Sequence, residues 1–431
     1  MNDLALGIDV GTSGVRIAAL DETNEAVCIS AAAMPAPARN NGRVRQDPEI
    51  WWRAVCEALD GLGRALDLTR VRAVAVDGTS GTVLAVDAAG QPLGPGSLYN
   101  DVASPAAQAR VEAVAPAASA ARGSTSALGR ALDLLGEFPA ATRIVHQADW
   151  IAGRLAGAFD TSDENNALKT GYDPVSRAWP AWIEDAGMSR ERLPRVVPAG
   201  TAIGRVTAGH GHGLPEGVAV VTGTTDGCAA FLATGAAEPG DGVTSLGTTL
   251  VLKLLSDHPI FAPDYGIYSH RIGEAWLAGG ASNSGGAALL RFFTPERMSE
   301  LETSIRPQDP TGLAFYPLPS PGERFPINDP RLEPKVEPRP KDDARFLQAL
   351  FEGIGGIEKL GYDRLAELGG PRLTSVRSVG GGARNLGWTA LRSRILGVPL
   401  LEPAHAEAAC GTARLAWSGY RAQLASGAIR G

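Results

Sequence analysis

Two carboxylates in this sequence follow strand-like segments that end in glycine-rich turns. Asp9 lies near the end of the apolar run Leu4–Val10, and Asp226 follows the apolar run Val218–Thr222 and a Gly-Thr-Thr turn. A carboxylate at a helix start is held by N–H groups and stays ionised at neutral pH, so it can accept the proton of a hydroxyl that attacks phosphorus. We therefore predict that Asp226 is a general base. We also predict that Asp9 holds Mg²⁺ through water.

Each carboxylate also has a purely structural interpretation. Asp9 could satisfy the N–H groups of a simple hairpin turn, and Asp226 could be the N-cap of a helix. Capping and catalysis are compatible, so the second interpretation does not exclude a base.

A strand, a tight Gly-Thr-Ser/Thr turn and a second strand occur twice, in Gly7–Leu20 and again in Val243–Leu255. Such a turn points successive N–H groups and hydroxyls into one concavity, which suits a phosphate oxygen. Two such turns, one in each half of the chain, could close on a polyphosphate from both sides. This is the outline of an ATP-dependent enzyme with two related lobes. The predicted phosphate-binding residues are Gly11, Thr12, Ser13, Gly247 and Thr248. Arg16 could neutralise phosphate charge or be an exposed strand arginine.

Strands alternate with helices in both halves, which predicts an α/β fold with internal duplication. We place the two domains at residues 1–235 and 236–431. Residues 103–160 are Ala-rich and are predicted to be helical, and residues 317–340 are Pro-rich and are predicted to form a surface loop. A last helix is expected over residues 406–422.

Composition excludes several classes of protein. A length of 431 residues exceeds one ordinary core, and a net charge of -7 gives no support for binding nucleic acid or an anionic membrane. The four cysteines are scattered, which favours a reducing compartment over disulfides or a zinc site. There is no signal-like N-terminus and no apolar run of ~18 residues, so a soluble, cytoplasmic protein is expected. His210 and His212 lie in a Gly-rich loop without a third ligand nearby and are interpreted as turn residues.

The two turns, followed by Ser378–Pro399 with its Gly-Gly-Gly-Ala-Arg-Asn sequence, resemble the FGGY carbohydrate kinases over almost the whole chain. The resemblance implies a two-lobed, actin-like ATPase (ribonuclease H-like) fold with a central cleft, with sugar deep in the cleft and MgATP above it. It implies that Asp226 is the base and Asp9 the metal-associated carboxylate. The adenosine end would be held by Gly381, Gly382 and Asn385. The first lobe would serve the sugar and phosphates, and the second the nucleotide.

We expect the substrate to be recognised by a segment that occurs only once in the chain, unlike the duplicated turns. Xylulokinases carry Gln-Met-His-Gly after the second strand of the first lobe, whereas Asp77–Thr82 here reads Asp-Gly-Thr-Ser-Gly-Thr and looks like the short D-ribulose kinases. Ser80 is the favoured sugar contact, and further contacts are expected from Thr79, Asn283, Asp9 and Asp226.

The expectation is therefore ATP-dependent phosphorylation of the terminal hydroxyl of a free ketopentose, with D-ribulose favoured and D-xylulose as the alternative. An actin-like ATPase that acts as a switch or filament is the alternative from another class. The expected partners are the sugar and ATP alone, on a monomer or homodimer.

Overall fold

The computed structural model describes residues 3–427. The strands are β1 (Leu4–Val10), β2 (Gly14–Asp21), β3 (Ala26–Ala33), β4 (Ala38–Asn40), β5 (Arg43–Gln46), β6 (Val71–Gly78), β7 (Val83–Val86), β8 (Gly96–Ser97), β9 (Arg143–His146), β10 (Thr161–Asp163), β11 (Arg195–Val197), β12 (Ala202–Arg205), β13 (Ala219–Thr225), β14 (Asp241–Leu246), β15 (Leu250–Ser256), β16 (His270–Ile272), β17 (Ala275–Ser282), β18 (Ser375–Val379) and β19 (Leu400–Leu401). The helices are α1 (Pro48–Ala65), α2 (Pro105–Val114), α3 (Ala127–Glu137), α4 (Gln147–Ala156), α5 (Glu164–Ala167), α6 (Trp182–Asp185), α7 (Asp226–Ala233), α8 (Gly286–Leu289), α9 (Pro295–Glu302), α10 (Asp343–Glu367), α11 (Leu386–Leu396) and α12 (Ala408–Ala425). No helix within residues 3–427 has the length and apolarity needed to cross a bilayer.

The described residues fall into two compact units. Unit 1 contains the residues up to Ala233, the short segment His270–Gly273 and the residues from Glu407 onward; unit 2 contains Thr234–Ser269 and Glu274–Ala406. The units therefore differ from a contiguous division after residue 235. The difference arises because α12, the last helix, packs on the first sheet.

Unit 1 is built around a six-stranded sheet in the order β12-β13-β6-β1-β2-β3. Its centre is parallel, because β1 pairs with β6 and β6 with β13 in the same direction, whereas β1–β2 and β2–β3 are antiparallel. The central strands are mostly apolar and almost wholly buried, as expected for a parallel sheet covered on both faces. Their carboxyl ends meet at one edge of the sheet.

Helices cover the two faces of this sheet. On one face α1 begins at the N-cap Asp47, whose side chain accepts a hydrogen bond from the Glu49 N–H, and it buries Trp51, Val55 and Leu59 against the strands. On the other face α12 packs closely over β1. A Cβ added at Gly7 of β1 would lie 2.0 Å from the Ala409 carbonyl oxygen, so this approach requires glycine.

The segment 103–160 is only partly helical, which corrects the sequence prediction. It contains α2, α3 and α4, but Arg143–His146 forms strand β9 and pairs antiparallel with β7. Its residues Ile144 and Val145 are β-branched and buried on both sides of the strand, and this outweighs the helix preference of the alanine-rich surroundings.

Unit 2 contains strands in the order β17-β15-β14-β18-β19. Strands β14 and β15 form a hairpin, and β17 pairs antiparallel with β15. On the other side, β18 pairs parallel with β14, and β19 pairs parallel with β18. This is the arrangement of β3-β2-β1-β6-β13 in unit 1. The duplicated turn is therefore part of a duplicated sheet.

The Pro-rich segment 317–340 has no helix or strand, but it is not entirely a surface loop. Phe325 and Glu323 are buried within it. The Glu323 carboxylate accepts hydrogen bonds from the Ser282 hydroxyl at 2.6 Å and from the Asn283 backbone N–H at 2.7 Å. These bonds fix the segment to the end of β17, so a charged residue can be buried there.

Candidate active site

Three carboxylates of unit 1 stand where three adjacent strands end. Asp9 of β1 and Asp77 of β6 are directly opposite each other in the parallel register, and Asp226 follows β13 on the other side of β6. The predicted residues Asp9 and Asp226 are thus brought to one edge of one sheet. Asp77 was not predicted as a site residue, although a second strand that ends in Asp-Gly beside the first was a usable signal.

Burial and mutual repulsion disfavour the ionised forms of Asp9 and Asp77. Burial raises the pKa of Asp9 to about 6, and the charge of Asp226 acts in the same direction, whereas contact with Asp77 and Arg16 opposes the rise. Asp77 is fully buried, and its burial, reinforced by the charge of Asp9, holds its pKa well above the usual range. One Asp77 oxygen accepts a hydrogen bond from Thr412 of α12, and the other has no hydrogen-bond partner among residues 3–427.

A cation would relieve this concentration of negative charge, and carboxylate oxygen is the ligand type that Mg²⁺ prefers. No group of three or more His, Cys, Asp or Glu side chains that could hold a metal occurs in the described part of the chain. Mg²⁺ is commonly held by one or two carboxylates and completes its shell with water and phosphate oxygens. Asp9 is the residue of unit 1 that such an ion would use.

The Gly11 turn joins β1 to β2 and has free backbone donors. The Gly11 N–H donates to the Gly14 carbonyl at 3.0 Å, whereas the N–H groups of Thr12 and Ser13 donate to no other group in residues 3–427. Arg16, opposite Asp9 on β2, is half-exposed and forms an ion pair with Glu407 at 3.3 Å. The turn therefore offers N–H groups to an anion, while Arg16 already has a carboxylate partner.

The Thr79–Thr82 turn after β6 is held from inside unit 1. The Thr79 hydroxyl contacts Gln147 Oε1 at 2.9 Å and Thr82 Oγ1 at 2.6 Å, so it is engaged within the protein. The Ser80 hydroxyl is buried without a partner among the described residues, which leaves a hydrogen bond for a ligand to satisfy. Lys169 Nζ donates to the Ser80 carbonyl at 3.3 Å, a neighbour that sequence reasoning did not identify.

The predicted nucleotide residues of unit 2 line a single cavity of about 690 Å³. Gly247 and Thr248 come from the β14–β15 turn, and Gly381, Gly382 and Asn385 from the turn between β18 and α11. The Asn385 side-chain oxygen caps α11 by accepting the Trp388 N–H at 2.7 Å. The volume lies in the range of small-molecule sites. Apolar walls come from Leu289, Leu290, Met298, Phe351 and Trp388.

Asn283 and two histidines singled out in the sequence make hydrogen bonds within the protein. Asn283 belongs to unit 2, and its side-chain N–H donates to the Gly322 carbonyl at 3.0 Å. His210 contacts the Arg154 carbonyl at 2.9 Å, and His212 contacts Asp60 at 3.0 Å. The two histidines therefore act as loop residues, in agreement with their interpretation from the sequence.

Two sequence models match this chain. Residues 4–119 match the N-terminal domain and residues 242–420 the C-terminal domain of the FGGY family of carbohydrate kinases. The chain is 27% identical to a xylulose kinase of Escherichia coli (strain K12) over 427 residues, 92% of this chain and 85% of that protein. It is 28% identical to a xylulose kinase of Streptomyces coelicolor over 432 residues, 93% of this chain and 84% of that protein.

Solved structures show the same fold. The crystal structure of xylulose kinase from Rhodospirillum rubrum superposes with a TM-score of 0.83 at 21% identity, covering 97% of this chain and 92% of that one. The gluconate kinase from Lactobacillus acidophilus gives a TM-score of 0.82 at 17% identity, covering 100% of this chain and 91% of that one. The fold is therefore the two-domain, actin-like ATPase fold that the family resemblance implied.

Proposed function

The chain belongs to the FGGY family of carbohydrate kinases, and from that premise we propose that it transfers the γ-phosphate of ATP to the terminal hydroxyl of a free ketopentose. The observation that carries this proposal is the meeting of Asp9, Asp77 and Asp226 at the ends of β1, β6 and β13. A site rich in acids at the carboxyl edge of a parallel sheet can orient a polyol and remove one of its protons.

Asp226 is the proposed general base. It begins α7, and the Gly227 N–H donates to its Oδ1 at 2.7 Å, which fixes the carboxylate relative to the end of β13. The carboxylate would accept the proton of the sugar hydroxyl while that oxygen attacks the γ-phosphorus and the bond to the β-phosphate oxygen breaks. General bases of this kind contribute about 10²–10⁴ in rate.

The 690 Å³ cavity of unit 2 is the proposed site of the adenosine end of ATP. Trp388 and Phe351 stack at 4.6 Å with planes 5° apart and form a flat apolar wall. The glycines at 381 and 382 allow the backbone to approach a ligand closely, and the Gly247–Thr248 turn in the same cavity supplies N–H groups for phosphate oxygens.

Mg²⁺ is proposed at Asp9, where it would neutralise charge on the phosphate oxygens when bound. The protein's own contribution is to hold Asp9 beside Asp77 and to present the Thr12 and Ser13 N–H groups of the next turn. Such fixed donors act where charge develops in the transition state.

Two ketopentoses compete as the preferred sugar. The relatives named xylulose kinase support D-xylulose. The Asp77–Thr82 segment, which lacks the Gln-Met-His-Gly of xylulokinases, supports D-ribulose. Both sugars carry the primary hydroxyl that the reaction requires.

A coupled ADP-release assay with D-xylulose, D-ribulose, ribitol, glycerol and gluconate tests the proposal. We expect turnover with one of the two ketopentoses at a kcat/KM at least tenfold above the other substrates. ATP hydrolysis without any effect of sugar, accompanied by light scattering from nucleotide-dependent polymers, would instead support a filament-forming ATPase.

Asp226→Asn tests the base. We expect kcat to fall by about 10²–10⁴ with the KM for ATP nearly unchanged. Asp60→Asn, which removes an exposed carboxylate of unit 1 that contacts His212, is the control and should keep normal turnover. Full activity of the Asp226 variant would refute the assignment.

A further inference from the structure

The strand that leads to Asp226 is irregular at its end. In the parallel pairing of β13 with β6, Thr222 lies opposite Val76, and the next pair is Thr225 opposite Gly78. Two residues, Gly223 and Thr224, therefore stand against the single residue Asp77. This is a β-bulge, a feature that is rare between parallel strands and frequent beside active sites.

The bulge determines the direction of the following chain. Side chains alternate between the faces of a strand, so one inserted residue reverses the face taken by every later residue. Gly223 makes the bulge possible, because a Cβ there would lie 1.9 Å from the Val76 carbonyl oxygen. The orientation of Asp226 thus depends on how firmly the bulge is held.

Two adjacent asparagines hold the bulge from one side. Asn166 Nδ2 donates to the Thr224 carbonyl at 3.1 Å, and Asn165 Nδ2 donates to the Thr224 hydroxyl at 3.0 Å. All three residues are buried. A bulge leaves its extra residue out of the ladder, and a buried carbonyl without a donor is costly, so the Asn166 amide replaces the missing strand partner.

Asp163 fixes the orientation of Asn166. Its Oδ1 accepts the backbone N–H groups of Asn165 at 2.8 Å and of Asn166 at 3.0 Å, and its Oδ2 accepts Asn166 Nδ2 at 2.6 Å. One N–H of the amide is thereby taken by the carboxylate, and the other is directed to Thr224. Two of these three bonds come from Asn166, one from its backbone N–H and one from its side-chain amide, so a single buried carboxyl group fixes the Asn166 side chain relative to its own backbone.

We propose that Asn166, oriented by Asp163, is a positioning residue for the reaction: it holds the Gly223–Thr224 bulge in the shape that presents Asp226 to the sugar hydroxyl. The inference rests on the proposed function, because it assigns Asn166 an effect only through the base. Asn166 acts on the backbone two residues before Asp226 and is not a catalytic residue itself.

Asn166→Ala is the first test. Misplacement of a reacting group by about 1 Å can cost ~10²-fold in rate, so we expect kcat to fall by about tenfold to a hundredfold with the KM for ATP within twofold. Asp163→Asn keeps the volume but replaces one of the two acceptor oxygens with an NH2 group, so either the Asn166 amide or the two backbone N–H groups lose their acceptor and kcat should fall as well. Because it removes no side-chain volume, it is the second variant to measure if the alanine variant is unstable.

Thr222→Val is the matched control. Thr222 is buried on the same strand before the bulge, and its hydroxyl contacts the Pro198 carbonyl and the Thr201 N–H, both at 3.0 Å. Loss of these bonds should lower the melting temperature and leave kcat within twofold.

A double-variant cycle separates positioning from a general loss of structure. If Asn166 acts through the base, Asn166→Ala should not further lower the residual turnover of Asp226→Asn, measured with radiolabelled ATP. An equal factor in both backgrounds would overturn the inference. The inference would also be overturned if Asn166→Ala kept a normal kcat while Asp226→Asn was inactive. The assignment of Asp226 as the base would survive that result. Full turnover of Asp226→Asn would overturn the base itself and the inference with it.

Discussion

The fully buried ion pair of unit 2 gives a sharp prediction about stability. Glu358 of α10 and Arg392 of α11 form a two-pronged contact, with Nε–Oε2 and Nη2–Oε1 distances of 2.6 Å, and both side chains are 0% exposed. Glu358 also accepts the Thr244 hydroxyl of β14 at 2.6 Å, and Arg392 donates to the Ser378 hydroxyl of β18 at 2.8 Å. The pair therefore links two helices to the strands that carry the cavity turns.

Glu358→Gln should cost about 3–5 kcal/mol in the free energy of unfolding, because it leaves a buried guanidinium without a counter-charge. For a unit of about 150–250 residues, each kcal/mol corresponds to roughly 2–4 °C, so the melting temperature should fall by about 6–20 °C. Glu358→Leu combined with Arg392→Met removes both charges together and should cost less than the single change. Lys359→Ala, which breaks an exposed pair with Asp363 one residue further along α10, should cost less than about 1 kcal/mol.

Calorimetry and urea unfolding measure these differences, and hydrogen exchange of α10 peptides localises them to unit 2. A loss below about 1 kcal/mol for Glu358→Gln would refute the reasoning. A double variant as unstable as the single variant would do so too, because the cost would then come from lost packing and not from an uncompensated charge.

Three further outcomes can be measured on the same protein. Gly356→Ala should raise the free energy of unfolding, measured in urea, by about 0.5–1 kcal/mol. The reason is that Gly356 is exposed in α10 and a Cβ there would meet no atom within 4 Å. A loss of stability would contradict this prediction. Burial raises the pKa of Cys56 to about 11, so its reaction with iodoacetamide should become about tenfold faster per pH unit up to that pH. A rate that levels off near pH 9, as for an ordinary thiol, would contradict the raised pKa. Asn385→Ala should lower the free energy of unfolding by about 1 kcal/mol, because α11 loses its N-cap. It should also raise the KM for ATP and leave the KM for the sugar unchanged, because Asn385 lines the cavity of unit 2. An unchanged KM for ATP would remove Asn385 from the nucleotide site.

The sequence was sufficient to predict features that local patterns encode. Continuous apolar runs predicted β1 and β13, and the repeated turn predicted a duplicated fold. Family resemblance then identified the cavity residues, which the structure brings together in unit 2.

What the sequence did not reveal depends on contacts between distant residues. Asp77 faces Asp9 only through the register of two strands separated by more than sixty positions in the chain. The role of Asn166 depends on a bulge that no local pattern announces. The last helix, α12, belongs to unit 1 because it packs closely over Gly7. These two parts of the chain are far apart in sequence, so their local patterns do not predict the contact.

The position of α12 also has a consequence for the order in which the protein can be assembled. The face of β1, β6 and β13 opposite α1 is apolar and is covered by Ala409, Ala413, Ala416 and Trp417. During synthesis this face is made first and stays uncovered until residues 408–425 leave the ribosome, while all of unit 2 is translated in between. Unit 2 can therefore complete its core before unit 1 does. The early part of the chain is the part that needs protection from aggregation in a growing polypeptide.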